Sequence, residues 1–533
     1  MNSANRHRLC SMLSIVALAT SAGSLAAQST PAVTVTPSSM KKIGTVDPRF
    51  LSYNIEMVEI TGGRFWKPYR DQTQTPAAAP TSAPHDAAAM RAAMANLYEY
   101  RPPVDLSNPR LRALAKELGP VYLRVSGTWR NSTYFQDNDD PALKEAPKGF
   151  GSVLTRAEWK GVVDFSHAIG AKVVTSVAVS AGTRNADGVW QPDQAKRFFA
   201  YDRRIGGSIA ATEYMNEPTF AAMGGAGAGY NAADFGRDAR IFDTFLRKAS
   251  PHTLYLGPGS VGEGISLGPP GMSIRLISTE SMMQATGPIF DAFSYHFYGG
   301  VSRRCGGHPA VTPEGSLLPD WLDRTDKVEA FYAGMRDRYL PGKPMWLTEV
   351  AEAACGGDTL AGQFVDTVRF LNQLGSLAQR GVQVVMHNTL NASDYGLLDE
   401  QTLDPRPDYW AAVLWNRTMG TTVLDPGVPA DESVRVYAQC MKGRRGGVTL
   451  VALNTDAANE QGLALPVGGE RYTLTAPSLT STATALNGTA LEASPDGSLP
   501  AMRGQLVKAG TLQLPPASVT FLTLPSAQNA ACR

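Results

Sequence analysis

The sequence has no excess of charge of either sign, because 49 Lys and Arg residues stand against 48 Asp and Glu residues in a chain of 533. A balanced chain has no overall field that would draw it to nucleic acid or to an anionic membrane surface. We therefore expect no nucleic-acid partner, and an anionic substrate would have to be recognised by local groups. The length favours more than one structural unit, and a hydrophobic content of 43% is enough to bury large cores.

Long apolar runs are missing after the first 27 residues, so no membrane span is predicted. Before that point, a short basic region at residues 6–8 precedes a largely apolar stretch that ends in the small residues Ala26 and Ala27. This pattern is typical of a secretory signal peptide over residues 1–27. A membrane anchor is the alternative, but the apolar stretch is short and interrupted by Ser and Thr. We expect export, to a periplasm or out of the cell.

Cysteine is scarce, with five residues, and the first lies in the predicted signal peptide. The other four have no C-x-x-C spacing and no His pair nearby, so the sequence predicts no metal site. An even number of cysteines in an exported chain permits two disulfides, with three possible connectivities. Because Cys440 and Cys532 both lie in the last segment, we pair them, which leaves Cys305 to pair with Cys355.

Apolar strand segments alternate with helical segments over residues 47–417. For example, a helix is predicted after Asn108, because Pro109 suits the first turn and leucines recur at helical spacing, and the apolar strand 121–125 follows. About eight such units predict an α/β fold of the (β/α)8 TIM-barrel type. A doubly wound sheet is the alternative, but no Gly-rich dinucleotide loop follows the first strand.

The remaining segments have other textures. Residues 71–89 are rich in Ala, Pro, Thr and Gln without a hydrophobic period, which predicts a flexible surface insertion in the barrel. Residues 418–533 contain short alternating segments and a hairpin signal at Asn487–Gly488, which predict a C-terminal β-sandwich domain. The alternating segment within residues 28–46 is expected to add an N-terminal strand to this sandwich.

Two glutamates occupy the places where catalytic groups of such a barrel lie, at the carboxyl ends of strands. Glu217 follows a strand and precedes Pro218, which has no N–H to continue a ladder, and Glu349 ends the strand that begins at Met345. Their offset of 132 residues is about three β/α units, which predicts facing positions on the fourth and seventh strands. Cleavage of an acetal needs one carboxyl group as acid and another as anion. We expect Glu217 to be the acid/base and Glu349 the nucleophile.

Other polar residues converge on the same rim. His296 and Tyr298 alternate on one face of the strand that precedes the Glu349 strand. We expect Tyr298 to hydrogen-bond the nucleophile and keep it ionised, with a barrel-lining aromatic as the alternative, and His296 to contact the substrate. Asn216 is expected to hold the sugar 2-hydroxyl, with a plain turn residue as the alternative.

With these residues in view, the chain resembles glycoside hydrolase family 79, the heparanase and β-glucuronidase family, over nearly the whole mature length. The resemblance lies in Asn216-Glu217-Pro218, in Trp346-Leu347-Thr348-Glu349, and in the run from Val384 through Tyr395-Gly396-Leu397-Leu398-Asp399 to Asp404-Pro405-Arg406-Pro407-Asp408-Tyr409-Trp410. The C-terminal pair Cys440 and Cys532 is similar to the pair that forms the sandwich disulfide in the family.

The resemblance implies a retaining hydrolase that acts on β-linked glucuronic acid without a cofactor. Carried over by position, Glu56, Thr128 and Asn216 would bind hydroxyls of the uronic acid. Tyr395 would bind its carboxylate, helped by main-chain N–H groups near Ser393. The chain departs from the family at Glu56, where Asp is frequent, at Ser393, where heparanase has Gly, and after Glu349, where the Ser-rich loop is absent.

Two modes of action fit these residues. Trimming of terminal glucuronic acid is favoured over cutting within heparan-type chains, since the 71–89 insertion could close one end of the cleft. Endo action on sulfated chains requires basic residues along the cleft, for which Arg64, Lys67, Arg70, Arg303 and Arg304 are the candidates. A non-catalytic carbohydrate-binding protein on the same barrel is the alternative from another class, and the presence of both glutamates argues against it.

Overall fold

A closed barrel of eight parallel strands forms the centre of the computed structural model, which describes residues 32–69, 97–265, 276–305, 311–429 and 433–533. In chain order the strands are β1 Leu51–Glu56, β2 Tyr122–Ser126, β3 Lys172–Ser176, β4 Ile209–Glu213, β5 Leu254–Ser260, β6 Ala292–Val301, β7 Met345–Ala354 and β8 Val382–His387. Each strand pairs with the next, and β8 pairs with β1. The predicted barrel is confirmed. The predicted signal peptide and the 71–89 insertion lie outside the described residues.

Helices alternate with these strands along the chain, as the sequence predicts. They are α1 Met57–Thr61, α2 Pro109–Glu117, α3 Arg156–Ile169, α4 Asp193–Arg204, α5 Ala232–Ala249, α6 Thr279–Thr286, α7 Pro319–Leu322, α8 Arg324–Tyr339, α9 Phe364–Gln379 and α10 Pro407–Thr418. Helix α3 illustrates the local signals, because Thr155 and Glu158 form a capping box at its start and the left-handed Gly170 ends it. Two small sheets lie in the loops, one pairing Gly63–Trp66 with Tyr98–Arg101 and one pairing Thr133–Gln136 with Ser152–Thr155.

The barrel interior divides into an apolar layer and a polar layer. Side chains from seven strands fill the apolar layer, at Tyr122, Val174, Ala211, Leu256, Ala292, Trp346, Val384 and Met386. The next inward positions along several strands are polar, beginning with Arg124 and Glu213. Since the strands are parallel, the polar layer lies toward their carboxyl ends, which is the end of a barrel that carries active sites.

Two further sheets, one antiparallel and one mixed, are formed mainly by strands that follow the barrel in the chain, and they pack face to face. The larger has nine strands, at Lys42–Thr45, Met419–Leu424, Val434–Met441, Val448–Asn454, Gly469–Thr475, Ala485–Leu486, Thr489–Ala490, Gln505–Val507 and Val519–Leu524. The smaller has three, at Val33–Thr34, Gln461–Leu465 and Gly510–Leu514. Both sheets contribute to one buried apolar cluster, which includes Val436, Leu450, Leu463 and Leu522. This arrangement is the β-sandwich that the alternating segments predict.

The sandwich packs closely against helix α9. The ring of Tyr437 lies against Gly375, where an added Cβ would come within 2.1 Å of the ring, so the contact requires glycine. The Tyr437 hydroxyl donates to Asn372 Oδ1 at 2.6 Å. Residues 32–533 form one compact unit, and the predicted boundary near residue 418 stays a prediction.

Both expected disulfides, Cys305–Cys355 and Cys440–Cys532, are present. The second joins the strand Val434–Met441 to the last residues of the chain. Within the described ranges, every helix is too short or too polar to span a lipid bilayer.

Candidate active site

Arg124, on β2, is the central charge of the polar layer. Its Nη2 donates to Glu213 Oε2 at 2.9 Å and its Nη1 donates to Glu349 Oε2 at 3.0 Å, and the residue has no exposed surface. A buried cation must be paired, because an unpaired charge in this environment would cost several kcal/mol or more. Burial on its own raises the pKa of Glu213, but the charges of Arg124 and His296, with the hydrogen bonds from Arg124 and Thr348, together outweigh burial and leave that pKa below its ordinary value. The Arg124–Glu213 pair therefore stays ionised beneath the site.

A β-bulge on β7 turns Glu349 toward Arg124. Tyr295 of β6 pairs with Leu347, but the next residue, His296, pairs with Glu349, so Thr348 is the extra residue. In a regular strand, two consecutive side chains would point to opposite faces of the sheet. Here both point inward, because Thr348 Oγ1 donates to Glu213 Oε1 at 2.9 Å while Glu349 accepts from Arg124. The strand predicted to end at Glu349 continues to Ala354, paired with β6.

Glu217 lies just beyond β4 in a left-handed backbone conformation, with φ 49° and ψ 60°. Such a conformation is unfavourable for a side-chain-bearing residue and persists where the surroundings fix it. Asn131 provides that restraint, since its amide donates to Asn216 O and its Oδ1 accepts from Asn216 N, both at 2.9 Å. This double hydrogen bond fixes the peptide directly before Glu217.

The two predicted catalytic glutamates meet at the barrel mouth. One carboxylate oxygen of each, together with a ring nitrogen of His296, lie within 4.8 Å of one another. Nδ1 of His296 is 3.0 Å from Glu217 Oε1 and 3.7 Å from Glu349 Oε2. His296, predicted to contact the substrate, thus lies between the two carboxylates. The side chain of Glu217 is 20% exposed and that of Glu349 is 7% exposed, so Glu217 is nearer to solvent.

The surroundings of the two glutamates differ in a way that suits different protonation states. Burial, with the charge of Glu349 adding to it, raises the pKa of Glu217 above its ordinary value, although the hydrogen bond from His296 opposes this. Glu349 instead accepts hydrogen bonds from Arg124 and from the Tyr298 hydroxyl. Burial, followed by the charge of Glu349, raises the pKa of Tyr298 well above its usual range. The phenol therefore keeps its proton and donates a hydrogen bond to Glu349. The predicted contact of Tyr298 with Glu349 is therefore present.

Glu56 ends β1 and faces the same cluster. Burial and the charge of Glu349 raise its pKa well above its ordinary value. Its carboxyl group occupies space left by Gly127, where an added Cβ would lie 1.5 Å from Glu56 Oε2. The Asn388 amide donates to Glu56 Oε1 at 3.3 Å and to the hydroxyls of Tyr298 and Tyr395 at 3.2 Å each. Glycine at position 127 thus makes room for the longer Glu at a position where the family frequently has Asp.

The other two hydroxyl-binding candidates also lie together, since Asn216 Nδ2 is 3.4 Å from Thr128 Oγ1. Asn216 Oδ1 already accepts from Arg124 Nη2 at 2.7 Å. The amide of Asn216 is thereby oriented with its NH₂ group toward Thr128. A sugar oxygen placed between Asn216 and Thr128 would meet a donor from each.

Tyr395 is buried on the loop after β8, where Arg406 holds the backbone. Arg406 Nη1 donates to the carbonyls of Ser393 and Asp394 at 2.8 and 2.6 Å. Ser393 has φ 63°, so this loop takes a glycine-like conformation although the residue is Ser. Its N–H donates to Glu400 Oε2 at 3.2 Å, and its hydroxyl is buried without a partner among the described residues. The Ser393 hydroxyl, rather than its N–H, is the group left available for a ligand.

Behind Tyr395, ion pairs and a disulfide tie the loops after β6, β7 and β8 together. The Arg304 guanidinium pairs with Asp394, and Arg303 Nε pairs with Asp358 at 2.8 Å. The Cys305–Cys355 disulfide joins the loops after β6 and β7 covalently. Two of the basic residues that could have bound a sulfated chain are thus already paired with carboxylates. Arg64 Nη2 donates to Tyr98 O at 3.1 Å, and Arg70 lies outside the described residues.

The donor set at the centre does not suit a metal ion, although Glu217, His296 and Glu349 lie close enough together to hold one. The Arg124 guanidinium donates to Glu349 Oε2, the oxygen that also faces His296. A cation at this point would be repelled by the buried positive charge of Arg124. The arrangement is better suited to two carboxyl groups in different protonation states.

Sequence reasoning missed Arg124, Glu213, Asn131 and Asn388 as parts of the site. A signal existed for the first two, because each is a charged residue within an apolar strand and a buried charge requires a partner. For Asn131 and Asn388, which lie in loops rich in polar residues, the sequence contains no comparable signal. The role of Gly127 follows only from its contact with Glu56.

No family model matches the chain. Among curated proteins, heparanase from Gallus gallus is 28% identical over 486 residues, covering 80% of this chain and 90% of its own. Baicalin-beta-D-glucuronidase from Scutellaria baicalensis is 25% identical over 464 residues, covering 79% and 84%. Among solved structures, a 4-O-alpha-L-rhamnosyl-beta-D-glucuronidase from Fusarium oxysporum shares the fold, with a TM-score of 0.61 at 12% identity, over 92% of this chain and 100% of the other.

The barrel with paired carboxyl groups at its mouth, together with these relatives, defines the protein as a glycoside hydrolase. The similarity to heparanase and to baicalin-beta-D-glucuronidase extends along most of both chains. The resemblance to glycoside hydrolase family 79, the heparanase and β-glucuronidase family, is confirmed by relatives that are 25–28% identical over about 80% of the chain.

Proposed function

We propose that this enzyme is a retaining β-glucuronidase that releases terminal β-linked glucuronic acid by double displacement. The observation that carries the proposal is the approach of the Glu217 and Glu349 carboxylates to within 4.8 Å. Retaining glycosidases hold their two carboxyl groups about 5–5.5 Å apart, whereas inverting enzymes separate them by about 6.5–9.5 Å to leave room for water. The closer spacing leaves Glu349 in direct reach of the anomeric carbon.

The reaction follows from the two environments. In the first step Glu349 attacks C1, a C1–Oε bond forms, and the bond from C1 to the leaving oxygen breaks while Glu217 gives that oxygen its proton. In the second step a water oxygen bonds to C1, Glu217 takes a proton from that water, and Glu349 departs as a carboxylate. The products are glucuronic acid and an alcohol. The raised pKa of Glu217 supports its first role, since it must be protonated when the substrate binds.

Recognition of the uronic acid is assigned to neutral donors beside Glu349. The Tyr395 hydroxyl, held by Asn388, would donate to the sugar carboxylate, with the Ser393 hydroxyl nearby in sequence. A neutral hydroxyl can bind an anion without forming an ion pair with Glu217 or Glu349. Glu56, Thr128 and Asn216 would bind sugar hydroxyls. The relative named baicalin-beta-D-glucuronidase agrees with a glucuronide substrate.

Terminal rather than internal cleavage is supported by the state of two of the candidate basic residues, Arg303 and Arg304. Endo action on a sulfated polysaccharide, which the relatives named heparanase would suggest, requires cations that the polymer can reach. Arg303 and Arg304 are engaged with Asp358 and Asp394 instead. We also propose export through the signal peptide over residues 1–27, which agrees with the two disulfides, since disulfides persist in oxidising compartments.

The experiment compares hydrolysis of an aryl β-glucuronide, the matching aryl β-glucoside and heparan sulfate. We expect the glucuronide to be cleaved with the highest kcat/KM and heparan sulfate to lose no internal bonds. In Tyr395→Phe, kcat/KM for the glucuronide should fall at least about tenfold, the effect of losing a hydrogen bond to a charged group, with little change for the glucoside. Tyr298→Phe is the matched control, because it contacts the nucleophile and should slow both substrates. Faster hydrolysis of the glucoside would contradict the uronate assignment, and shortening of heparan sulfate would establish endo action.

A further inference from the structure

Two loop segments on the acid/base side of the mouth, one directly after β3 and one directly after Glu217, contain no charged residue. The sequence from Pro218 to Ala233, which follows Glu217 directly, has no Asp, Glu, Lys or Arg, and neither has the sequence from Ser176 to Thr183. In the proposed function Glu217 gives its proton to the departing oxygen, so the residues beside it border the leaving group. This inference therefore rests on the proposed function and concerns the part of the substrate beyond the glucuronic acid.

Two apolar side chains lie on the β4 loop. Phe220 is partly exposed and packs against the apolar cluster that contains Val261, Tyr298 and Tyr395. The end of its ring lies beside Gly262, where an added Cβ would be 3.4 Å from Cζ. Met223, whose N–H donates to Phe220 O at 2.9 Å, is 69% exposed, one of the largest exposures of any apolar side chain in the described ranges. Phe220 thus connects an exposed apolar surface to the tyrosine that contacts the nucleophile.

The rest of the β4 loop leaves space rather than filling it. A Cβ added at Gly227 or Gly229 would have no heavy atom within 4 Å. Gly225, in contrast, packs on the neighbouring loops. A Cβ added at Gly225 would lie 3.9 Å from the Cβ of Ser132 and 3.8 Å from the Cβ of Ser180. The loop is therefore supported from beneath and open above, which suits a bulky group on the outer side.

The cation of the β3 loop, Arg184, is already engaged. Arg184 pairs with Asp238 at 2.7 Å and lies over the ring of Tyr230 at 4.8 Å. A sulfated or carboxylated leaving group would meet no positive side chain from residues 176–183 or 218–233, whereas an apolar leaving group would lose water-exposed surface against Phe220 and Met223.

We propose that the leaving-group subsite is uncharged and apolar, formed by Phe220 and Met223, and that the natural substrates are glucuronides of apolar, ring-bearing alcohols or phenols rather than of sulfated sugars. Aromatic and thioether side chains suit such ligands, because both make extensive dispersion contacts with flat rings.

The test measures kcat/KM for phenyl β-glucuronide, 2-naphthyl β-glucuronide and a glucuronyl disaccharide whose leaving sugar is sulfated. We expect about a tenfold preference for naphthyl over phenyl, the range that extra buried apolar groups give in a pocket, and the lowest rate for the sulfated disaccharide. Phe220→Ser and Met223→Ser should each reduce the naphthyl preference, and Met223→Lys should improve use of the sulfated disaccharide. Met223 is largely exposed, so its variants test the subsite even if Phe220→Ser does not fold.

Leu506→Lys is the matched control, since Leu506 is 87% exposed on the sandwich and should alter no substrate preference. Equal effects of the Met223 variants on the phenyl and naphthyl substrates, or faster hydrolysis of the sulfated disaccharide by the unaltered enzyme, would overturn the proposal. Calorimetric binding of phenyl and 2-naphthyl β-glucosides separates the two inferences. A naphthyl preference that persists with glucose supports the subsite whatever the sugar specificity, and equal binding of the two glucosides overturns it.

Discussion

The two sides of the barrel mouth border the same pair of glutamates but are built from different materials. On one side, the loops after β6, β7 and β8 are tied by the Cys305–Cys355 disulfide and by the Arg304–Asp394 and Arg303–Asp358 ion pairs. On the other, residues 176–183 after β3 and residues 218–233 after Glu217 carry no charge and include several glycines. The difference teaches that the two proposed tasks need different surroundings: covalent and ionic links fix the side proposed to bind a charged sugar, and small and apolar residues line the side proposed to bind an apolar leaving group.

The largest expected effect distinguishes two buried glutamates of the same strand. Glu349 and Glu352 both lie on β7, and Glu352 accepts a hydrogen bond from Asp358 N at 3.0 Å in the loop after β7. We expect Glu349→Gln to lower kcat by at least about 10⁴, as for removal of a catalytic nucleophile. Glu352→Gln, which keeps an acceptor for Asp358, should retain activity within about tenfold. Steady-state kinetics on an aryl β-glucuronide measures both variants. Comparable losses of kcat in the two variants would contradict the assignment of Glu349 as the nucleophile.

A smaller effect is expected at His296, whose Nδ1 lies between the carboxylates of Glu217 and Glu349. Its hydrogen bond and its charge lower the pKa of Glu217, opposing burial, which raises it. In His296→Phe that opposition is lost, so the pKa of Glu217 should rise and Glu217 should stay protonated to higher pH. The alkaline limb of the kcat/KM profile should then move to higher pH, with kcat lower by about 10²-fold. Ser294 lies on the same strand as His296, and Ser294→Ala removes only its hydrogen bond to Glu213, so this variant should leave the alkaline limb in place. Movement to lower pH would contradict the assignment of Glu217 as the acid.

The smallest expected effect on activity concerns the Cys305–Cys355 disulfide, which joins the loops after β6 and β7. Replacing Cys305 and Cys355 by Ser should raise KM for an aryl β-glucuronide about threefold, roughly 0.6 kcal/mol of binding, with kcat nearly unchanged. The double Ser variant at Cys440 and Cys532 is the control, since it removes a disulfide in the sandwich and should leave KM unchanged. The two disulfides span 50 and 92 residues, so each variant should lose about 4 kcal/mol of stability on the chain-entropy model, measured by thermal unfolding. An unchanged KM in the Cys305/Cys355 variant would show that the ion pairs alone fix this side.

Much of this arrangement could be predicted from the sequence. The alternation of apolar strands with helices predicts the barrel, and it places Glu217 after β4 and Glu349 on β7. The pairing of the four cysteines could be predicted from their positions along the chain together with the resemblance of the C-terminal pair to the family. These features were accessible because they depend on local period and on the order of elements along the chain.

The contacts across the barrel could not be predicted. Arg124 meets Glu213 and Glu349 across 89 and 225 residues, and no local pattern states which buried charges will pair. The bulge at Thr348 arises from the register between β6 and β7, which depends on both strands at once. The space that Gly127 leaves for Glu56 likewise exists only when β1 and β2 are side by side.

The most direct test of the central claim is mass spectrometry of the enzyme after reaction with 2-deoxy-2-fluoro-β-glucuronyl fluoride, a substrate whose glycosyl-enzyme intermediate hydrolyses slowly. We expect one fluoroglucuronyl group on the peptide that contains Glu349, and no labelling in Glu349→Gln. Label on a different carboxylate, or turnover of the fluoride without any covalent species, would contradict double displacement through Glu349.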